Sequence, residues 1–112
     1  MPRPARQLLD GGCYHLIARG NNRQFVFTQP AAFEHFLFLL LRAKRRYPSR
    51  LYHSCLMSNH IHFLLQIDRA EHLPKLMQGL LQGYGRWYKH RQPFSGHLWQ
   101  GQFFSYAMDE LH

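Results

Sequence analysis

The chain has 112 residues, enough for one domain around one hydrophobic core but not for two. Hydrophobic residues make up 46% and aromatic residues 15%, which excludes an intrinsically disordered chain, and the longest apolar run, residues 36–41, is too short to span a membrane. The net charge of +8, from 14 Lys and Arg against 6 Asp and Glu, is typical of a protein that binds a polyanion, although charge alone also fits a basic protein without such a partner.

The first half of the chain predicts a strand, a loop and a helix. Residues 13–18 are a short apolar segment of strand length, and the loop that follows contains two Arg and two Asn. A helix is expected from Pro30, because proline suits the first helical turn and Thr28 can cap it. Apolar side chains at helical spacing then predict one buried face. They are Phe33, Phe36, Leu37 and Leu40.

The second half predicts two strands, a helix and a last strand. Residues 51–57 and 61–67 are strands joined by a tight turn, and residues 72–90 carry apolar side chains at helical spacing. Residues 98–107 are expected to form the last strand, and residues 108–112 resemble the opening of a further helix. The order β-α-β-β-α-β predicts a single α+β domain over residues 1–112 with the ferredoxin-like arrangement, an antiparallel sheet with both helices on one face.

Two histidines give the sharpest functional signal. Successive side chains of a strand point to opposite faces, so His60 and His62 are expected on the same face and can share one divalent cation. An isolated His-x-His is a weak signal, because two polar residues on the solvent face of a strand produce the same pattern.

Three segments resemble the single-tyrosine HUH transposases, particularly the group associated with repetitive extragenic palindromes. The segments are YHLIARGNNR at residues 14–23, LMSNHIHFLL at residues 56–65 and SGHLWQGQFFS at residues 95–105. The resemblance implies a metal-dependent DNA strand transferase in which His60 and His62 hold Mg²⁺ or Mn²⁺ at the scissile phosphate. A tyrosine would attack there and form a 5′-phosphotyrosine.

The chain departs from the family pattern after its last strand. In the family, the nucleophilic tyrosine and usually the third metal ligand lie on a helix that follows this strand. Nothing after Phe104 matches that segment. The resemblance therefore implies a nucleophile beyond residue 112, a weakly held metal ion and an inactive 112-residue chain.

Two tyrosines inside the chain are the alternative nucleophiles. Tyr84 and Tyr88 lie on the second helix, and Gln92 follows Tyr88 at a spacing that imitates the tyrosine segment of the family. Aromatic residues at helical spacing usually belong to a core. We therefore favour packing beside Trp87, with the hydroxyls at the rim.

Single-stranded or hairpin DNA is the partner that the resemblance implies. Arginine suits phosphate or guanine, Asn can pair with adenine, and an exposed Trp can stack on an unpaired base. The cations at the end of the second helix fit equally well as partners of the helix dipole. The candidate DNA-binding residues are Arg19, Asn21, Asn22, Arg23, Arg86, Lys89, His90, Arg91 and Trp99.

Two other interpretations stay open. One is a non-catalytic nucleic-acid-binding module, and the other is a small zinc protein in which His15 or His53 joins the histidine pair. The N-terminus lacks the apolar segment of a signal peptide, so we expect a cytoplasmic protein that does not associate with a membrane. The chain is expected to be a monomer or a homodimer.

Overall fold

A computed structural model describes residues 8–92, 96–101 and 103–108, and these residues form four strands and two helices. The predicted helix opening falls mainly on residues 109–112, which, like residues 1–7, lie outside the described residues. The elements are β1 (Cys13–Arg19), α1 (Pro30–Arg46), β2 (Ser49–Met57), β3 (His60–Ile67), α2 (His72–Arg91) and β4 (Phe104–Ala107), with a short 3-10 turn (Asn21–Arg23) after β1. The predicted order β-α-β-β-α-β is confirmed.

The sheet has the strand order β2-β3-β1-β4, and every neighbouring pair is antiparallel. This is the predicted ferredoxin-like topology. One irregularity interrupts it. Leu51 pairs with Leu65 and His53 pairs with Leu64, so Tyr52 is an extra residue that bulges out of β2.

The hydrophobic core lies between the two helices and one face of the sheet. Phe36 of α1 is fully buried, and its ring lies 5.4 Å from Tyr84 of α2 and 5.9 Å from Phe63 of β3, measured between centroids. Both helices therefore cover the same sheet face, as predicted. Within the described residues, no helix has the length and apolar character needed to cross a membrane.

The start of α1 differs from the prediction. Gln29, not Thr28, precedes the first helical residue, Pro30, and within the described part of the chain no side-chain hydrogen bond caps the helix. The Thr28 hydroxyl instead accepts a hydrogen bond of 2.6 Å from the side-chain amide of Gln92. A tertiary contact with the end of α2 therefore replaces the local cap.

The last strand is shorter than predicted. Among the described residues of this segment, only Phe104–Ala107 is a strand, whereas Trp99 forms an isolated bridge with Gly20. Gly101 lies between them with a φ of 53°, in the left-handed region that a strand does not adopt. The backbone therefore turns within the segment expected to form one strand.

Candidate functional site: a histidine pair beside a basic loop

The side chains of β3 alternate between the buried and the half-buried face of the sheet. Ile61, Phe63 and Leu65 are fully buried under the helices, whereas His60 and His62 are half-buried on the other face. We call this other face the histidine face. Cross-strand pairing also places the following side chains on it: His15, Arg19, His53, Cys55, Met57, Phe104 and Tyr106.

The two imidazoles of the histidine pair are neighbours, with ring centroids 4.8 Å apart. The Nδ1 atom of His60 lies 2.8 Å from Oδ1 of Asn59, and the Nδ1 atom of His62 lies 3.2 Å from Nε2 of His15. Among the described residues, no hydrogen bond engages the Nε2 atom of either ring. Both Nε2 atoms therefore remain available for a ligand.

These contacts favour the tautomer that a metal ligand needs at His60 and are compatible with it at His62. An amide oxygen only accepts hydrogen bonds, so Asn59 places a proton on Nδ1 of His60 and leaves its Nε2 lone pair free. The same state of His62 requires that its Nδ1 donates to His15. Histidines that bind a metal usually donate their other ring N–H to such a partner.

The electrostatic surroundings keep His62 neutral. Burial lowers its pKa from the ordinary value, and the nearby charges of His60, His15, Arg19 and His53 lower it further. A lowered pKa means that the ring loses its proton at a lower pH than a free histidine. His62 is therefore uncharged at neutral pH, and only an uncharged imidazole can coordinate a metal.

The donor set on this face is incomplete. In residues 8–92, 96–101 and 103–108, no group of three or more His, Cys, Asp or Glu side chains is placed to hold a metal ion. His15 directs its Nε2 atom at His62 rather than beside it, so it is not a third ligand in this arrangement. The residues fit a cation that takes two imidazoles from this chain and its other ligands from water or phosphate oxygens.

Tyr84 and Tyr88 are not at the rim of the core. Tyr84 is fully buried and donates its hydroxyl hydrogen to the Val26 carbonyl, and Tyr88 is 6% exposed and donates to the Phe25 carbonyl. Burial raises the pKa of both phenols. Neither is suited to attack a phosphate, because each hydroxyl is held inside the fold by a backbone acceptor. The interpretation as core residues is right, but the expected position of the hydroxyls is wrong.

Tyr106 is a residue that the sequence pattern does not single out. It lies on β4 directly opposite His15, and therefore on the histidine face. It is half-buried. Its position results from the pairing between β1 and β4, and no local sequence motif predicts that pairing.

Arg19 lies closer to the histidine pair than the sequence indicates. It is the cross-strand partner of His60, and its guanidinium stacks over the Phe104 ring at 5.8 Å from the centroid. The side chain is exposed. A cation therefore borders the histidine pair, where it would attract a phosphate.

The loop after Arg19 has a specific backbone shape. Asn22 and Arg23 adopt φ values of 56° and 60°, in the left-handed region, which is uncommon for side chains larger than glycine. Gly20 is required for close approach, because a Cβ there would lie 2.3 Å from the Gln24 carbonyl oxygen. Asn21, Asn22 and Arg23 are thus presented by a constrained loop, a type of strain that is concentrated at functional sites.

Residues 97–100 connect this loop to the neighbourhood of α2. Asn21 donates its backbone N–H to the Leu98 carbonyl at 2.7 Å, and Gln100 donates its own to the Arg19 carbonyl at 2.7 Å. Trp99 is half-buried rather than exposed, and its indole N–H donates to the Leu81 carbonyl of α2 at 3.0 Å. The two groups of candidate DNA-binding residues therefore share one continuous piece of structure.

The candidate cations at the end of α2 are all on the surface. Arg86, Lys89, His90 and Arg91 are exposed. The guanidinium of Arg91 stacks over the Trp87 ring at 4.8 Å from the centroid. This stacking holds Arg91 against its own helix, whereas Arg86 and Lys89 border a cavity beside Trp99.

Comparison with known proteins gives the family. The family described as "Transposase IS200 like" matches residues 10–111. The chain belongs to the IS200-like transposase family. The three segments that resemble single-tyrosine transposases all lie within the match. A comparison with curated proteins finds no significant match.

Two solved structures share the fold. The first is a REP-associated tyrosine transposase bound to a REP hairpin, with a TM-score of 0.78 and 14% identity. That match covers 99% of this chain, which spans 64% of the length of the other. The second is a candidate transposase from Deinococcus radiodurans R1, with a TM-score of 0.69, 19% identity, and coverage of 98% of this chain and 88% of the other.

Proposed function

We propose that the chain is the DNA-binding part of a metal-dependent transposase that cuts and rejoins single DNA strands. The observation that carries this proposal is the state of the histidine pair. Both Nδ1 atoms have a partner, Asn59 or His15, and both Nε2 atoms are available on one face. His60 and His62 would hold Mg²⁺ or Mn²⁺, which would stabilise the charge that develops on the phosphate.

DNA is the proposed partner for two reasons. The chain has a net charge of +8, and the exposed cations Arg19 and Arg23 lie on a constrained loop beside the histidine pair. In addition, a structural relative is bound to a REP hairpin. We propose that this chain also binds a hairpin or single-stranded DNA, with Arg19 positioned to bind the phosphate nearest the histidine pair.

The covalent step would be a transfer of a phosphoryl group to a tyrosine. The phenol would lose its proton as its oxygen attacks the phosphorus, the bond from phosphorus to the 3′ oxygen would break, and the 3′ oxygen would take up a proton. Tyr84 and Tyr88 are buried and unsuited to this step. By the family resemblance, the tyrosine would come from a helix after the last core strand, so we propose that the 112-residue chain binds DNA without forming an adduct.

The metal part of the proposal is tested by Mn²⁺ binding to the 112-residue chain. We expect weak binding by the unchanged chain and its loss in His60→Ala and His62→Ala, because each change removes one of two imidazole ligands. His97→Ala is the matched control, since this exposed histidine lies outside the sheet. Binding that survives both changes would contradict the proposed site.

Whether a tyrosine of the 112-residue chain attacks DNA is tested by incubating the chain with Mn²⁺ and a labelled hairpin that has single-stranded flanks. Covalent adducts are then sought on a denaturing gel. We expect none from the 112-residue chain. An adduct that is lost in Tyr106→Phe but not in Tyr84→Phe would assign the nucleophile to the histidine face of β4, and would show that our inference of inactivity is wrong.

A non-catalytic nucleic-acid-binding module is the second candidate function. It is favoured by the incomplete donor set among the described residues. It predicts DNA affinity that does not change when Mn²⁺ is added or when the histidine pair is replaced.

A further inference from the structure

A cavity of about 560 Å³ lies between α2 and a segment that contributes His97, Leu98, Trp99, Gly101 and Phe103. Its volume is within the range of roughly 300 to 1,000 Å³ found for small-molecule sites. Along α2 it is lined by Pro74, Gln78, Gln82, Arg86 and Lys89, which lie three or four positions apart and therefore share one stripe of the helix.

The opposite wall of the cavity is held in place. Trp99 donates to the Leu81 carbonyl at 3.0 Å, and the side chain of Gln24 donates to the carbonyls of His97 and Leu98 at 3.2 Å each. Leu98 is 3% exposed. This wall is therefore formed before any ligand arrives, which reduces the entropy that binding has to offset.

The lining combines three kinds of group. Leu81, Trp99 and Phe103 provide apolar and aromatic surface, Gln78 and Gln82 provide amides, and cations lie at one end. A side-chain amide both donates and accepts hydrogen bonds, as the edges of nucleobases do. The aromatic surface suits the flat face of a base, and Arg86 suits a phosphate.

We propose that this cavity binds one nucleotide whose base is unpaired. Gln78 and Gln82 contact the edge of the base, the apolar wall contacts its face, and Arg86 contacts its phosphate. The proposal rests on the proposed function, because it assigns part of the same DNA to a second place on the chain. Residues 97–100 are hydrogen-bonded to the Arg19–Arg23 loop, so one strand can cross from that loop to the cavity.

The test compares two DNA hairpins that share a stem and differ in whether single-stranded flanks are present. We expect the flanked hairpin to bind more tightly than the blunt one. The double variant Gln78→Ala with Gln82→Ala should weaken binding of the flanked hairpin by at least about fivefold, and should leave the blunt hairpin unchanged. Gln29→Ala is the control, because Gln29 is an exposed glutamine outside the cavity.

A second readout locates the base. A 5-iododeoxyuridine is placed at each flank position in turn, and crosslinks made by light are mapped by mass spectrometry. We expect one position to crosslink to Trp99 or Phe103, and the crosslink to weaken in the double variant.

The outcomes separate the two proposals. Equal binding of flanked and blunt hairpins by the unchanged chain, with no crosslink in the cavity, overturns the nucleotide site and leaves DNA binding intact. Failure of the unchanged chain to bind either hairpin contradicts the proposed function, and the nucleotide site with it.

Discussion

The contact between His15 and His62 gives a histidine outside the His-x-His motif a role in the candidate site. Its Nε2 atom lies 3.2 Å from Nδ1 of His62, and the two rings are stacked with centroids 5.3 Å apart. This contact orients the His62 ring, and when Nδ1 of His62 donates to His15, the Nε2 lone pair of His62 is free. His15 is therefore a positioning residue for the proposed metal site.

Replacing His15 tests this role. We expect His15→Ala to weaken Mn²⁺ binding by roughly 10- to 100-fold, the cost usually seen when the hydrogen-bond partner of a metal ligand is removed. His15→Gln should restore part of the affinity, because its amide oxygen can accept the same hydrogen bond. His53→Ala is the matched control, since this exposed histidine lies on the same face opposite Leu64. Equal effects of His15→Ala and His53→Ala would contradict a specific role for His15.

The sequence predicts part of this site and not the rest. Alternation along β3 is a local rule, so it correctly places His60 and His62 on one face. The partner of His62 depends on how β1 pairs with β3, and the position of Tyr106 depends on how β1 pairs with β4. Both are contacts between distant parts of the chain, which the spacing of residues does not reveal.

Among the elements, α1 separates buried from exposed phenylalanines most clearly. Phe36 is fully buried among Phe27, Phe63 and Tyr84, whereas Phe38, two positions later, is 52% exposed. Two residues of the same type on one helix therefore differ strongly in burial. They form a natural pair for measuring what the core contributes.

We expect Phe36→Ala to lower the free energy of unfolding by about 3–5 kcal/mol, because it leaves a cavity among aromatic rings. Phe38→Ala should change it by no more than about 0.5 kcal/mol, since it leaves no cavity and removes a surface side chain. Urea denaturation followed by circular dichroism measures both. Similar losses in the two variants would mean that α1 packs differently from the described arrangement.

The sequence predicts the types and order of the elements better than their ends. Helical and alternating patterns extend over many residues, so they identify α1, α2, β1, β2 and β3. The ends depend on single contacts. Thr28 accepts a hydrogen bond from Gln92 instead of capping α1, and the turn at Gly101 shortens the last strand. Neither the hydrogen bond nor the turn can be predicted from the periodic spacing of apolar residues.

At the scale of the whole molecule, two arginines lie at each end of the sheet. Arg19 and Arg23 lie at the end of the sheet where His60 pairs with Arg19. Arg50 and Arg69 lie at the other end, where Arg50 pairs with Gln66. Replacing both arginines at one end or at the other removes the same charge, so the contribution of each end to DNA binding can be compared.

We expect the double variant Arg19→Ala with Arg23→Ala to weaken binding of a DNA hairpin and to flatten its salt dependence. The slope of log K against log salt should become less steep by roughly 1 to 2, because about two phosphate contacts are lost. Arg50→Ala with Arg69→Ala is the control, with the same loss of charge. Fluorescence anisotropy at several salt concentrations measures both slopes, and equal effects would indicate non-specific attraction to a basic protein.

The extra residue in β2 affects how two copies of the chain can associate. β2 is an edge strand of the sheet, and an exposed edge can pair with a strand of another molecule. The bulge at Tyr52 bends the strand and interrupts its regular ladder. In a symmetric dimer built edge to edge, the interruption would occur once on each copy. Pairing of the β2 edges of two copies into one continuous sheet is therefore disfavoured.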